Sequence, residues 1–248
     1  MHKRIGILGG LSPESTAAYY EHITRGYVAR YGDCSYPEIL IYSVNFQQYM
    51  DWQRQGRWAE ATQAMADSLN ALHRAGADFG LISTNTMHMV FDEVQAKVDM
   101  PLLSIVETTA QAIRAANIRT VGLLGSVFTM REGFFRDGLK RAGIEMLVPE
   151  PEAHDRINEI IFGELCRGTI RQESRRVFED IIEELSRRGA DGIVLGCTEI
   201  PLMIKQENCR VPVFDTTALH AQRAMEYAIS ASQPKSAGET CGTCRVCS

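Results

Sequence analysis

The second half of this chain repeats the first, and this repeat limits the possible folds more than any other feature of the sequence. The segment IGILGG at residues 5–10 returns as VGLLGS at residues 121–126, an offset of 116 residues. The triplet Gly-Ala-Asp at residues 76–78 returns at residues 189–191, an offset of 113, and an apolar segment follows each copy. A repeat of such long period indicates that a supersecondary unit has been duplicated.

A third pair of similar segments supports the duplication. Pro101 matches Pro212 at an offset of 111, and the Thr-Thr-Ala of residues 108–110 matches that of residues 216–218 at an offset of 108. Three matches in the same order, with nearly constant offset, predict two related halves. We expect the halves to pack around a pseudo-two-fold axis, with a cleft between them.

Each half has the pattern of an α/β fold with a parallel four-stranded sheet. In the first half, apolar segments of strand length alternate with amphipathic segments of helix length. The predicted strands span residues 4–8, 38–44 and 79–83, and the predicted helices span residues 13–30, 57–75 and 86–98. Because the strand segments are continuously apolar, they are expected to be buried on both faces. Ser12-Pro13-Glu14 is a helix start, and Gly76 is typical of a helix end.

The composition is that of an ordinary globular protein, with 45% hydrophobic residues, 23% charged residues and a net charge of -5. The sequence has no Lys/Arg cluster, which argues against nucleic acid as a partner. It also has no apolar run long enough for a membrane span or a signal peptide. We therefore expect a cytoplasmic protein whose cysteines are free thiols.

The cysteines fall into two groups. Cys241, Cys244 and Cys247 lie in a small, polar C-terminal segment, and residues 231–248 are expected to be a disordered tail. No metal site is predicted there, because zinc needs four ligands and no histidine is close by. Three cysteines of the main body are expected to lack polar company and are predicted to be inert: Cys34, Cys166 and Cys209.

Polar residues follow the matched strands of the two halves. The offset of 113 pairs Thr84 with Cys197, residue 85 with residue 198, and residue 86 with residue 199. In parallel sheets ligands bind beyond the carboxyl ends of the strands. The paired positions are therefore expected on opposite walls of one cleft.

Two proton-handling groups on opposite walls suit racemisation, in which one group removes the proton from Cα and the other returns a proton to the opposite face. Cys197 lies between a strand and a predicted helix, where the helix dipole would favour the thiolate. The alternative is that Cys197 is only a small buried side chain. Backbone N–H groups after Gly9-Gly10 and Gly125-Ser126 could bind a carboxylate, although Gly9-Gly10 could equally form only a tight turn. Gly6, Gly9 and Gly10 do not have dinucleotide-binding spacing, and no cofactor is expected.

Five motifs together make the chain resemble the aspartate/glutamate racemase family, and most closely its broad-specificity amino-acid racemase branch. The resemblance covers about residues 3–230. The motifs are GGLSPEST at 9–16, TNTMH at 84–88, RINEII at 156–161 with ELC at 164–166, GCTE at 196–199 and PVFDT at 212–216. The resemblance implies two Rossmann-like lobes, an active site in the cleft between them, a PLP-independent two-base mechanism and a homodimer.

The resemblance also implies roles for single residues. Thr84 and Cys197 occupy the two catalytic positions, both of which are cysteine in the family's aspartate-specific members, so Thr84 argues against strict aspartate specificity. Asn85, Thr86 and Thr198 would bind the α-carboxylate, and Gln53 would contact the substrate side chain. The full predicted substrate-binding set is Leu11, Gln53, Asn85, Thr86, Ser126, Thr129, Thr198 and Glu199.

Several alternatives stay open at this point. His88 and Glu199 could each assist the neighbouring catalytic residue or only cap a helix, and His154 and Asp155 are expected to form a helix N-cap. The chain could be a decarboxylase or isomerase that uses one cysteine and protonates one face. It could also be a non-catalytic module that binds carboxylates. The predicted domains are residues 1–105, residues 106–214, and a last helix at about 215–230 that packs back on the first lobe.

Overall fold

The computed structural model describes residues 2–230 and contains two four-stranded sheets in which all strands are parallel. The first sheet has the order β2-β1-β3-β4, and the second has the order β6-β5-β7-β8. The strands are β1 Ile5–Gly9, β2 Ile39–Ser43, β3 Phe79–Ile82, β4 Leu102–Leu103, β5 Thr120–Gly125, β6 Glu145–Leu147, β7 Gly192–Gly196 and β8 Val213–Asp215. The predicted α/β fold with two similar lobes is confirmed.

Ten helices cover the faces of the two sheets in the described part of the chain. They are α1 Pro13–Tyr31, α2 Phe46–Arg54, α3 Trp58–Arg74, α4 Phe91–Gln95, α5 Ile105–Ala115, α6 Val127–Arg131, α7 Gly133–Arg141, α8 Pro151–Gly163, α9 Gln172–Arg187 and α10 Thr216–Ile229. Short 3-10 turns span Thr86–Val90, Leu165–Arg167, Ile200–Leu202 and Gln206–Asn208.

The strand register shows that the two sheets are equivalent. In the first sheet Leu8 lies opposite Ile82, and in the second Leu124 lies opposite Leu195. The shift from 8 to 124 is 116 residues and the shift from 82 to 195 is 113, so both offsets read from the sequence hold in the structure. Residues 84 and 197 each come two positions after this matched pair, and they are therefore equivalent in the fold.

The third sequence match is only half right. Gly80 pairs with Leu102 in the first sheet, and residue 193 pairs with Val213 in the second. Residue 193 is equivalent to residue 80 at the offset of 113, so Val213 is equivalent to Leu102, and the offset of 111 is confirmed for this strand. The same offset makes Ser104 equivalent to Asp215, and each of these residues caps the helix that follows. Residue 216 therefore corresponds to residue 105, and the matching of the two Thr-Thr-Ala segments at an offset of 108 was wrong.

The elements of the first lobe differ from the prediction in three places. The expected burial of the second strand on both faces was wrong, because β2 is an edge strand and Ile41 and Tyr42 are 42% and 44% exposed. Helix α2 was missed, and among its residues only Tyr49 is buried. The predicted helix 86–98 divides into a 3-10 turn and the short α4. The predicted helices at 13–30 and 57–75 are confirmed as α1 and α3.

Two helices cross between the lobes. Helix α5 follows the first sheet but packs its apolar face on the second, where Ile105 and Ile113 contact the cluster that contains Val121. Helix α10 follows the second sheet but packs on α1 and the first sheet, where Ala221 and Ala224 join a buried cluster with β1 and β3 residues. Each lobe thus supplies one helix to the other. The domain boundaries at residues 105 and 214 stay predictions.

No helix within residues 2–230 has both the length and the apolar character needed to cross a membrane. Over the same residues, no group of three or more His, Cys, Asp or Glu side chains is arranged to hold a metal ion. The cysteine-rich segment 231–248, for which the sequence predicts a disordered tail, lies outside the described residues.

Candidate active site

Hydrogen bonds join the carboxyl ends of β3 and β7 across the two lobes. The Asn85 Nδ2 donates to the Thr216 Oγ1 at 3.0 Å, and this hydroxyl donates to the Leu195 carbonyl at 2.9 Å. Leu195 lies in β7, two residues before Cys197. The loop that carries Thr84 is therefore attached, through one hydroxyl group, to the strand that carries Cys197.

A second contact crosses the lobes from the end of β1. The Ser12 hydroxyl caps α1 by accepting a bond from the Ser15 N–H at 3.1 Å, and it donates to the Glu199 Oε1 at 3.1 Å. Glu199 is only 4% exposed. None of the ion pairs in the described part of the chain includes this carboxylate. Its buried charge is thus stabilised by hydroxyl and thiol donors.

The Cys197 thiol points at the same carboxylate. Its Sγ lies 3.0 Å from the Glu199 Oε2, which also accepts a bond from the Thr198 hydroxyl at 2.8 Å. Burial of the thiol, and then the negative charge of Glu199, raise the pKa of Cys197 well above its ordinary value. The prediction that a helix dipole favours the thiolate was therefore wrong, because only a three-residue 3-10 turn follows and a carboxylate faces the sulfur.

On the Thr84 side of the site, His88 does not contact the catalytic side chain as Glu199 contacts the Cys197 thiol. The His88 Nδ1 lies 2.8 Å from the Thr84 carbonyl, and its Nε2 lies 3.1 Å from the Ile105 nitrogen. A carbonyl only accepts, so Nδ1 carries the hydrogen and Nε2 accepts from the Ile105 N–H. Burial lowers the pKa of His88 to about 4. His88 is thus neutral near pH 7 and holds the backbone of Thr84, with neither nitrogen free for its hydroxyl.

Asn85 is the predicted substrate-binding residue with an unused polar atom. It is 3% exposed, and its Oδ1 is buried without a hydrogen-bond partner. A buried acceptor that is left unpaired costs about 1–3 kcal/mol, so such an atom calls for a donor from outside the chain. Thr86 begins the 3-10 turn that follows and is half-buried.

Ser126 and Thr129 lie at the end of β5 in the second lobe. Ser126 caps α6, its hydroxyl lies 3.1 Å from that of Thr129, and both residues are buried. The Val127 N–H next to them donates to the Asn158 Oδ1 at 3.3 Å. The sequence did not predict this contact, although Asn158 lies in the RINEII motif, because a sequence does not show which loop α8 faces.

Leu11 and Gln53 are less closely joined to this group. The Leu11 side chain is 4% exposed and packs in the apolar core of the first lobe. Gln53 lies half-buried on α2, and no hydrogen bond within residues 2–230 joins its side chain to another predicted site residue. The structure therefore brings together the residues at the ends of β1, β3 and β7 more clearly than these two.

The expectation of an N-cap at His154 and Asp155 was wrong. Both residues lie inside α8, whose N-cap position is Glu150. The ring of His154 is held by the Pro149 carbonyl at 2.9 Å from its Nε2, and the Arg131 Nε donates to its Nδ1 at 3.2 Å. The helix begins earlier than predicted because Pro151 occupies its first position.

The prediction that Cys166 lacks polar neighbours was also wrong. The thiol belongs to the 3-10 turn Leu165–Arg167 and packs against the core of the second lobe, near enough for the negative charge of Glu199 to act on it. Burial, the charge of Glu199 and that of Glu14 raise the pKa of Cys166 to about 12. A local pattern could not reveal this, because residues 166 and 199 are far apart in sequence and only the fold brings them together.

Over most of its length the chain is similar to proteins of one family. The family model of Asp/Glu/Hydantoin racemases matches residues 8–224. The broad specificity amino-acid racemase RacX of Bacillus subtilis (strain 168) is 28% identical over 221 residues, which are 88% of this chain and 95% of RacX.

Two solved structures share the whole two-lobed fold. A Yersinia pestis protein of known crystal structure is 40% identical in sequence to this chain. The two structures align with a TM-score of 0.87 over 92% of this chain and 99% of that one. The aspartate racemase homologue PH1733 from Pyrococcus horikoshii OT3 is 37% identical, with a TM-score of 0.83 and the same coverage of 92% and 99%. The resemblance predicted from the five motifs is confirmed, and the chain belongs to the Asp/Glu/hydantoin racemase family.

Proposed function

We propose that the protein is a cofactor-independent amino-acid racemase, in which Cys197 and Thr84 exchange protons with the two faces of the substrate Cα. The observation that carries this proposal is the equivalence of positions 84 and 197 in the strand register. The Asn85–Thr216–Leu195 bonds support it, because they keep the two strand ends together.

The polar groups around this pair suit the two constant groups of an amino acid. The unpaired Oδ1 of Asn85 needs a donor, and an α-ammonium group supplies one. The hydroxyls of Thr86, Ser126 and Thr129 are the proposed donors for the α-carboxylate. Thr198, whose hydroxyl donates to Glu199, is proposed to offer its backbone N–H instead. Asn85 was expected to bind the carboxylate, and its free oxygen favours the ammonium group instead. Leu11, Gln53 and Glu199 complete the proposed set.

On the Cys197 side, the proton balance passes through Glu199. The thiol proton moves from Sγ to the Glu199 Oε2, 3.0 Å away, and the thiolate then takes the Cα proton. The electron pair of the broken C–H bond stays on the substrate as a carbanion. The Thr84 hydroxyl delivers a proton to the other face and regains one from solvent. Glu199 releases to solvent the proton it took from the thiol, so both walls return to their starting protonation.

A one-faced enzyme is the second candidate, because the two walls are unequal. Cys197 has a carboxylate partner, whereas both ring nitrogens of His88 bond backbone groups. A decarboxylase or isomerase that protonates a single face would need only the Cys197 wall. Such an enzyme fixes the chirality of its product, whereas a racemase scrambles it.

The test is incubation of the protein in D2O with a panel of L-amino acids and of their D antipodes, followed by NMR of the Cα–H signal and chiral chromatography. We expect loss of the Cα–H signal and appearance of the opposite antipode for at least one amino acid. Exchange without inversion would favour the one-faced enzyme. Binding of amino acids without any exchange would favour a non-catalytic module.

The proposal includes a homodimer that needs neither PLP nor a metal and works in the cytoplasm. Activity is expected to persist after dialysis against EDTA and after treatment with hydroxylamine, and light scattering is expected to give twice the chain mass. Activity that is lost on dialysis and restored by PLP or a metal ion would refute the cofactor part of the proposal.

A further inference from the structure

We infer that Thr216 is a positioning residue that fixes the orientation of the Asn85 side-chain amide, so that the site prefers α-amino acids to the 2-oxo acids with the same side chain. An α-amino acid carries a hydrogen-bond donor on its α-carbon, whereas a 2-oxo acid carries only an acceptor there. The ligand preference rests on the proposed function, because that proposal places the α-ammonium group at Asn85. The contact between Asn85 and Thr216 does not rest on it.

The Thr216 hydroxyl has a fixed position between the two lobes. Strand pairing sets Leu195 opposite Asp215, so the next residue, Thr216, begins α10 beside β7. The Asp215 carboxylate caps this helix by accepting from the Thr217 and Ala218 N–H groups at 2.9 Å and 3.1 Å. Thr216 is 0% exposed. Its hydroxyl is therefore shielded from solvent, and its hydrogen-bond partners belong to the protein.

The direction of each hydrogen bond at this hydroxyl follows from its chemistry. A hydroxyl group has one proton to donate, and a backbone carbonyl can only accept. The Thr216 Oγ1 lies 2.9 Å from the Leu195 carbonyl oxygen, so its proton goes there. Toward the Asn85 amide, 3.0 Å away, the same oxygen can only accept. The NH2 group of the amide, and not its oxygen, must therefore face Thr216.

The Asn85 oxygen is left without a partner as a consequence. Asn85 occupies the N-cap position of the 3-10 turn Thr86–Val90, yet its side chain makes no capping bond. It is 3% exposed, and its Oδ1 has no hydrogen-bond partner among residues 2–230. If the amide were reversed, two acceptors would meet at 3.0 Å and the NH2 group would be unpaired. Thr216 thus sets which polar atom of Asn85 is available to a ligand.

The available atom decides which chemical group can bind beside it. An ammonium group donates hydrogen bonds and satisfies the buried oxygen of Asn85. The C2 carbonyl of a 2-oxo acid only accepts, so it would leave both oxygens unpaired. A buried polar group that stays unpaired weakens binding by about tenfold or more. The carboxylate and the side chain are the same in both ligands, so the difference in affinity is confined to this contact.

The experiment measures dissociation constants by isothermal titration calorimetry for matched pairs of ligands: L-alanine with pyruvate, L-leucine with 4-methyl-2-oxopentanoate, and L-glutamate with 2-oxoglutarate. The proteins are wild type, Thr216→Val, Thr216→Ser and Thr109→Val. Thr109 is the matched control, because it is also 0% exposed and its hydroxyl also donates to a carbonyl, that of Ile105, at 2.7 Å. The thermal midpoint verifies that each variant is folded.

We expect wild type and Thr216→Ser to bind the amino acid of the best pair about tenfold or more tightly than its 2-oxo acid. Thr216→Val removes the acceptor and lets the Asn85 amide turn its NH2 group toward the ligand, so this ratio of affinities should fall toward one. Thr109→Val should keep the wild-type ratio. A merely structural loss would weaken both ligands of a pair equally and leave the ratio unchanged.

Asn85→Asp gives an independent measurement if Thr216→Val is unstable. An aspartate at this position presents an oxygen to the ligand, since its own proton, where present, is held by the Thr216 oxygen. The preference for the amino acid should therefore stay at or above that of wild type. Loss of the preference in Asn85→Asp would contradict the inference.

A wild-type ratio in Thr216→Val would overturn the inference. So would a wild-type protein that binds 2-oxo acids as tightly as amino acids, or that binds neither. A Thr216-dependent preference for amino acids in a protein that exchanges no Cα proton would uphold the inference and refute the proposed racemase. A racemase whose ligand preference ignores Thr216 would refute only the positioning role.

Discussion

The chemistry proposed for the site depends on the neighbours of Cys197 and Thr84, which are Glu199 and His88. Glu199 faces the Cys197 thiol and leaves it protonated in the resting protein, since burial and charge raise the pKa of Cys197. His88 holds the Thr84 carbonyl and is kept neutral by burial. We therefore propose that Glu199 assists Cys197 and that His88 does not assist Thr84.

Glu199→Gln should slow removal of the Cα proton by Cys197, because an amide cannot accept the thiol proton. We expect kcat for the direction that starts at Cys197 to fall by roughly 10²–10⁴-fold, the range of a well-placed acid–base group. The measurement is kcat from each antipode. Glu179→Gln is the matched control, since this carboxylate lies near Cys209 and not near Cys197. Equal kcat values in Glu199→Gln and wild type would contradict the role.

Cys197→Ser should abolish turnover without unfolding the protein. Serine keeps the approximate shape but loses the more easily ionised group. The check is the rate of Cα–H exchange together with the thermal midpoint, which should stay close to that of wild type. A serine variant with wild-type exchange would show that Cys197 is not the base.

Thr84→Cys should raise the slower of the two directions. A threonine hydroxyl is a weak acid without an adjacent base, and His88 does not supply one. We expect a gain of at most roughly 10²–10⁴-fold in that direction. The equilibrium between antipodes must remain 1:1, so any change in kcat ratio is matched by KM. If Thr84→Cys changes neither direction and Thr84→Ala stays fully active, Thr84 is not the second base.

Secondary-structure elements position these residues through buried polar contacts. The His220 Nε2 lies 2.9 Å from the Leu103 carbonyl, and its Nδ1 accepts from the Tyr19 hydroxyl at 2.8 Å. These bonds link α10, β4 and α1. The centre of the His88 ring lies 5.9 Å from that of the His220 ring, so the loop after β3 also packs against this group of residues.

The two buried histidines predict loss of stability in mild acid. Burial lowers the pKa of His88 to about 4 and that of His220 to about 3, below the ordinary 6.5. At a pH between the ordinary value of 6.5 and these lowered values, the unfolded chain binds more protons than the folded one. The free energy of unfolding therefore falls as pH falls below about 6.5. Urea unfolding at pH 7 and pH 5 should show this drop.

The variant that tests this origin is His220→Gln, which should show a smaller loss of stability between pH 7 and pH 5 than wild type. His22→Gln, at an exposed histidine on α1, controls for the loss of a histidine as such. An undiminished loss in His220→Gln would mean that another group causes the acid sensitivity.

At the level of elements, the sequence predicted more for the core than for the edges. The matched strands β1, β3, β5 and β7 lie in the middle of the sheets, where burial imposes a continuous apolar pattern that can be read directly. Strand β2 has the same pattern but lies at an edge, and position within a sheet is not encoded in a single strand. The short α2 buries one residue and gives little periodic signal.

Across the whole molecule, the duplication made the paired positions 84 and 197 predictable, because a constant offset carries one half onto the other. The contacts made by only one half were not predictable in this way. The Ser12–Glu199 and Val127–Asn158 bonds join residues far apart in the sequence, and each forms only after α1 or α8 has packed. The asymmetry of the site therefore had to come from the structure.

The lobes are joined by helices as well as by side chains. Helix α5 of the first lobe packs on the second sheet, and helix α10, which follows the second sheet, packs with β1 and β3 of the first. A substrate held between the lobes is expected to meet Cys197 from one side and Thr84 from the other.

The most direct test is the location of deuterium at early conversion. A single antipode is incubated with the protein in D2O, and both antipodes are separated and analysed by mass spectrometry before a tenth of the substrate has reacted. Two bases on opposite faces predict deuterium in the newly formed antipode and almost none in the remaining substrate. Deuterium that accumulates in the remaining substrate as fast as in the product, or without any product, would contradict the opposed pair.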